Sequence, residues 1–526
     1  MSTRTSRPSR LLSRLKRALK HGYIEHPQAV KPVSCPPALD LPYELTEAIF
    51  FHYVEECDPD PSLLATVCRH WRSIALSTPA LWTHIHLQPP THVSDQQWTA
   101  FLAHLILRLS RTRDLPLSIS VLLEQHSRSG SGRLPRTDPG RLVELFVNLL
   151  GHAEQWRTLE IAAPSEAATI FRRCTEFIPD LPRLESLTLD LWSREEEEEV
   201  LIHHSWGSEF IAVAPRLVRL RVFAHALWWV PLHDGTPRVT PGRNGHPEDV
   251  HVAFAWRQIT HFTLEVHEAR TTYQDLILHK RLPNLVSLEL IDAGVQPPST
   301  PAAADIVAHK NAAKLLTLKL TLPAVECPAA WLARSLSAPS LQTLEISELR
   351  TDPGGEGPHE GGGGGGGGGD CFTLRRLAET LNASLLHTLC FFRVNLAVVL
   401  NVALGAPSVQ VLRVRDMDTR TGDESDLILE LGSPRQHVLP DLRELTFGDP
   451  TSFVQLDVLD SLFAARGGPG GQAAYRALEA FRYIYPVDSE SNPDVVSYIE
   501  HIRRHTERWE DGRNMVFVGL ESNAVF

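Results

Sequence analysis

Cys68, Arg69 and His70 stand side by side, a thiol next to a candidate base, and are the first place to look for covalent chemistry. Cys68 also recurs at helical spacing with Leu64, Val67 and Trp71, so the thiol reads as part of an apolar stripe rather than as an activated nucleophile. His203 and His204 are adjacent, and neighbours in sequence point different ways on a helix or a strand; no third ligand follows at a useful step. Seven cysteines, at 35, 57, 68, 174, 327, 371 and 390, contain no CxxC pair and are odd in number. Isolated thiols in a reducing compartment explain that pattern better than a disulfide framework or a zinc site. The nine glycines at 361–369 are no phosphate cradle, since no Lys-Ser or Lys-Thr follows and no GxGxxG opens a helix. Trp228 and Trp229 read as burial between structural units, with a recognition patch as the lesser reading. GxSxG, HExxH, Walker A and kinase signatures are all missing. No catalytic residue, metal or cofactor is therefore expected, although an enzyme assembled from separate loops remains a third reading behind two binding roles.

The elements that present these residues come next. At 526 residues the chain exceeds one ordinary core, unless it is a repeat array. A net charge of −12 favours solubility and argues against a general nucleic-acid binder, which needs a basic face. No run of eighteen apolar residues occurs, so no membrane span is expected. Residues 1–20 carry many Arg and Lys and no acid. A transit peptide, a nuclear-import patch and a solvated tail all fit; the tail, with a linker to residue 37, is preferred. The expected localisation is cytoplasmic, nuclear or both.

The stretch 40–87 organises the chain. Asp40 is placed to cap a helix, with Pro42 inside the first turn and Glu44 near the positive end of the helix dipole. Leu41, Leu45, Ala48, Ile49 and Tyr53 recur at helical spacing and predict one apolar stripe on a polar segment. Asp58-Pro59-Asp60-Pro61 forces a turn, and from Ser62 a second helical segment carries Leu63, Leu64, Val67, Cys68, Trp71, Ile74 and Ala75. So small a module cannot hide all of these side chains, and some must face another surface.

Taken in order, Leu41-Pro42, Leu45, Ile49-Phe50, Leu64, Val67-Cys68, Trp71-Arg72 and Leu81-Trp82 resemble the F-box motif of a large group of fungal F-box proteins. The resemblance implies a three-helix module, residues 38–90, that docks on a Skp-type adaptor and through it a cullin-based ubiquitin ligase. Leu41, Pro42, Leu45, Ile49, Leu64, Val67, Cys68 and Trp71 would form or support the adaptor surface, with Trp71 and Ile74 serving the core while Leu41, Pro42 and Leu45 face out. The polar pair Thr46-Glu47 and the polar turn over 55–61 depart from the pattern and keep open an interaction scaffold uncoupled from ubiquitination.

Beyond the module, helix-then-strand units appear over 98–121 and 141–161. A phrase then recurs, apolar-Pro-x-Leu-x-x-Leu-x-Leu, at 181–189, 214–222, 282–290, 338–346, 406–414 and 439–447, with weaker copies at 259–266, 315–322 and 385–392. Anchor residues Leu184, Leu217, Leu285, Leu341, Val409 and Leu442 are 33, 68, 56, 68 and 33 residues apart. The reading is an irregular leucine-rich-repeat-like solenoid with a parallel sheet over 98–450, its proline ending the preceding helix and its last two leucines on one face of a strand. Resemblance to F-box proteins with leucine-rich repeats is strong at the module and moderate over the array. The repeats are expected to hold an unknown target protein.

Insertions interrupt the array: five glutamates at 195–199 read as a solvated face, 231–250 as a loop, and 351–370 as a disordered glycine-rich loop. Helices over 456–465 and 495–508 and a strand over 515–520 predict a C-terminal cap, 451–526, holding Tyr483, Tyr485 and Trp509. The fold class is thus α/β, a small helical module followed by a solenoid.

Overall fold

The computed structural model describes residues 41–57, 60–90, 93–123, 138–164, 181–192, 213–223, 257–266, 282–292, 310–322, 336–348, 385–394, 396–415, 438–448 and 480–484, with ten isolated helical positions between 167 and 465. The N-terminal tail, the Asp40 cap, His203-His204, the glutamate run, the Trp pair, the glycine loop, and the helix and strand expected beyond 484 lie outside the described residues. The chain divides into two compact units, and the described part of the first ends at Leu81 while the second begins at Trp82.

In the first unit, helix α1 spans Tyr43–Cys57, a 3-10 turn Pro61–Leu63 leads into α2 (Leu64–Val67), and α3 spans Arg69–Ser77. The second segment is therefore not the continuous helix expected from its apolar spacing. It breaks at Cys68, whose backbone is extended at φ −157° and ψ 173°. The sulfur accepts the Trp71 N–H at 3.4 Å and so caps α3, supplying an acceptor that a continuous helix would not need.

The second unit is built on one parallel sheet. Its strands are β1 (His84–Leu87), β2 (Leu117–Leu122), β3 (Trp156–Pro164), β4 (Ser186–Trp192), β5 (Arg219–Phe223), β6 (His261–Val266), β7 (Ser287–Asp292), β8 (Thr317–Leu322), β9 (Thr343–Glu348), β10 (Thr388–Phe392), β11 (Val411–Arg415), β12 (Glu444–Gly448) and β13 (Ala480–Ile484). These thirteen lie side by side in chain order, the arrangement of a solenoid. Helix α4 (Asp95–Arg111) precedes β2, α5 (Pro139–Leu150) precedes β3 and α6 (Leu396–Leu404) precedes β11. Ser94 caps α4 through a reciprocal pair, its hydroxyl accepting the Gln97 N–H while the Gln97 side chain accepts the Ser94 N–H.

All nine copies of the recurring phrase, weak ones included, carry a strand of this sheet. The proline has a more specific task than ending a helix. Leu184, Leu217, Leu285, Leu341, Val409 and Leu442 each donate a backbone N–H to the carbonyl three residues earlier, at 3.0–3.3 Å. The phrase therefore opens with a β-turn whose second position is proline, where its fixed φ is favourable. After the turn the register is unbroken: Leu187, Leu220, Phe262, Leu288, Leu318, Leu344, Leu389, Leu412 and Leu445 are successive neighbours. A second stack two residues on runs Leu189, Val222, Leu264, Leu290, Leu320, Ile346, Phe391, Val414 and Phe447. Both stacks are buried, and one hydrophobic cluster continues from Ile85 to Leu462. The strand period of two sends the intervening residues to the opposite face.

Two boundaries differ from those read off the sequence. The sheet begins at β1, inside the stretch assigned to the module, and β13 adds a strand within the stretch assigned to a cap. Neither HIHL nor AFRYI ends a copy of the apolar-Pro-x-Leu-x-x-Leu-x-Leu phrase, so the recurring phrase does not mark them.

Candidate functional site

The apolar residues of α1 divide into two sets. Thr46, Phe50 and Val54 are buried, and Phe50 meets Trp71 of α3 edge to face, with ring centroids 5.0 Å apart at 67°. This inner set recurs every four residues, one helical face. Thr46 fits there because its hydroxyl donates to the Pro42 carbonyl at 3.2 Å, so the polar group it brings inside has a partner. The predicted stripe lies on the flank instead: Pro42 is exposed, Leu45 is 54% and Ile49 42% exposed, and Leu41 is half-buried. Of the polar pair Thr46-Glu47, Thr46 thus faces the core and not this flank.

Elsewhere in the same unit Leu63 and Leu76 are also 53% and 42% exposed. Sequence reading did not single out either as a surface group. Leu63 and Leu64 are adjacent and only one of them enters the core; Leu64 is that one, and it is buried. The 3-10 turn capped by the Asp60 carboxylate, which accepts the Ser62 N–H at 2.9 Å, decides between them. Tyr43 joins the start of α1 to the end of α3: its hydroxyl lies 3.1 Å from the Thr78 hydroxyl and 3.4 Å from that of Ser77.

Of the eight residues proposed from sequence, Pro42, Leu45 and Ile49 are thus exposed, Leu41, Val67 and Cys68 are half-buried, and Leu64 and Trp71 are core. The core pair orients the helices without itself being available to a partner. Cys68 stands at a helix break, not on a continuous stripe, and its sulfur is committed to the Trp71 N–H. A serine keeps that cap with a better acceptor. Cys68→Ser is expected to match or slightly exceed wild-type thermal stability, and Cys68→Ala to cost about 0.5–1 kcal/mol in urea unfolding. An Ala variant as stable as the Ser variant would show that the sulfur caps nothing.

Elsewhere, burial pushes the Cys174 thiol above its ordinary value, and burial foremost does the same to Cys390. Both thiols are thereby held protonated, the reverse of what an activated nucleophile requires.

A protein-family model described as F-box-like matches residues 38–88. No curated protein matches the chain. Among solved structures, a protein from Bacteroides fragilis is similar at 12% identity, over 65% of this chain and 66% of that one, with a TM-score of 0.28.

Proposed function

We propose that this protein is the substrate-receptor subunit of a cullin-type ubiquitin ligase, starting from the F-box-like match at its N-terminus. The observation that carries the reading is the exposed strip of Pro42, Leu45 and Ile49 within the matched residues, on a helix whose other face is packed. Exposed apolar groups clustered on a small module mark an interaction surface. The strip suits a Skp-type adaptor, and through that adaptor a cullin.

The parallel array, read as leucine-rich in type, holds a target protein on the face of the sheet opposite its buried stacks. The receptor performs no chemistry of its own. It raises the local concentration of target lysines near the charged conjugating enzyme, an effect of tethering alone. Its place of action is the cytoplasm, the nucleus or both. Full-length protein expressed with an epitope tag is expected to co-purify with adaptor and cullin together. Recovery of binding partners without either would favour the interaction scaffold.

A further inference from the structure

Positive charge on this chain is carried almost wholly by one of the two residues that could supply it. Of 51 lysine and arginine residues only seven are lysine, at 16, 20, 31, 280, 310, 314 and 319. Lysine is ordinarily one of the commonest residues. Here none occurs between Lys31 and Lys280, and none follows Lys319. The exchange is local rather than uniform, because the forty residues from 280 to 319 hold four lysines and one arginine. Among the described residues of the module and of β1 to β6, every exposed position of fixed positive charge is an arginine, as at Arg69, Arg72, Arg157, Arg183, Arg216 and Arg219.

The two cations differ in a way that matters beside a charged conjugating enzyme. A lysine amine that has lost its proton offers an electron pair, whereas a guanidinium stays protonated and offers none. Ubiquitin is carried as a thioester on a cysteine of that enzyme. The amine attacks the thioester carbonyl, the C–N bond of an isopeptide forms, the C–S bond breaks, and the sulfur leaves as a thiol with the proton the amine gives up. Lys319 is poorly placed for this step. It lies in the row between the two buried stacks, half-buried, paired with Glu345 at 3.0 Å and next in register to Glu289. Burial works against its ammonium, but Glu345 and then Glu289 outweigh it and hold its pKa above the ordinary lysine value. Lys314 is exposed, at the third position of the turn that leads into β8, where the Leu315 N–H donates to the Ala312 carbonyl at 3.0 Å. Its ammonium donates to the Asn284 side-chain oxygen at 2.6 Å. The same turn position is Arg183 ahead of β4 and Arg216 ahead of β5, in turns closed by the same bond at 3.3 and 3.1 Å. One turn geometry thus carries an amine in one unit and a guanidinium in two others.

We infer that Lys314 is a site at which this receptor accepts ubiquitin on itself, while arginine at the equivalent turn positions and over the module leaves transfer to the lysines of a held target. The inference rests on the receptor reading, since only a chain tethered to a cullin meets the charged conjugating enzyme at high local concentration.

Two measurements test it. In the first, the full-length chain is incubated with adaptor, cullin assembly and charged conjugating enzyme, without a target, and the ubiquitin remnant on each lysine is quantified by peptide mass spectrometry. Lys314 is expected to carry about ten times the remnant found on Lys319 or more. Lys314→Arg removes that site at an unchanged melting temperature, and Arg216→Lys creates a new one at 216. The second needs no ligase: N-hydroxysuccinimide acetate should acylate Lys314 of the isolated chain about tenfold faster than Lys319, because the ion pair withholds the neutral amine. Equal acylation rates, equal remnant on the two lysines, or an Arg216→Lys chain left unmodified at 216 would each overturn the proposal. A chain that captures adaptor and cullin yet gains no ubiquitin at Lys314 refutes this inference alone. One that captures neither refutes the receptor reading and this inference with it.

Discussion

Replacing Leu45 and Ile49 together with alanine should weaken adaptor capture roughly a hundredfold, about 3 kcal/mol, while leaving the module folded. The two residues are one helical turn apart on α1, they are 54% and 42% exposed, and they sit on the flank of the helix rather than over the Phe50–Trp71 contact. Removing them takes little from the core, so the far-ultraviolet circular dichroism and the melting temperature should change only slightly. Anchors of this kind usually carry most of the energy of an interface, whereas neighbours at its rim contribute little. Adaptor binding by calorimetry on the full-length chain reads the effect directly. Phe50→Ala is the informative contrast: it loses adaptor binding only by unfolding the module, with circular dichroism lost in parallel. A folded Leu45→Ala/Ile49→Ala protein that binds adaptor as wild type does would remove the apolar strip from the function.

The second large effect is expected in the array. Leu344 lies near the middle of the first buried stack, between Leu318 of β8 and Leu389 of β10, and is fully buried. Leu344→Ala should cost about 3 kcal/mol through lost burial and the cavity left behind. Because each unit of a solenoid touches only its neighbours, the loss weakens coupling on both sides and should broaden the urea transition as well as shift it. Thr343→Ala, one residue away and directed to the other face, should change stability by less than about 0.5 kcal/mol. Equal losses at 343 and 344 would contradict the assignment of faces along β9.

How much of this was legible beforehand differs from element to element. The recurring apolar-Pro-x-Leu-x-x-Leu-x-Leu phrase contains a whole structural step, a proline turn followed by two inward strand positions, so nine strands could be placed from local pattern alone. Even the weak copies at 259–266, 315–322 and 385–392 became strands, because alternation survives where the proline does not. The break at Cys68 was not legible. Its apolar spacing is helical on both sides, and only the need to bring Trp71 against Phe50 shows why the chain turns there. β13 was missed for the opposite reason: its pairing with β12 is a long-range choice that AFRYI does not announce locally.

By itself, then, the order of residue types determined that a small helical module precedes a parallel array, since periods of three to four and of two are local properties of the chain. It also placed the module's apolar groups at 41–53 and 63–75. Which of those groups face solvent was decided only in three dimensions. Leu63 and Leu64, or Leu45 and Thr46, are neighbours of opposite fate, and a helix offers the core one face whose direction depends on what packs against it. Phe50 meeting Trp71, and Thr46 satisfying its own hydroxyl on Pro42, turned that face inward and left Leu45 and Ile49 outside.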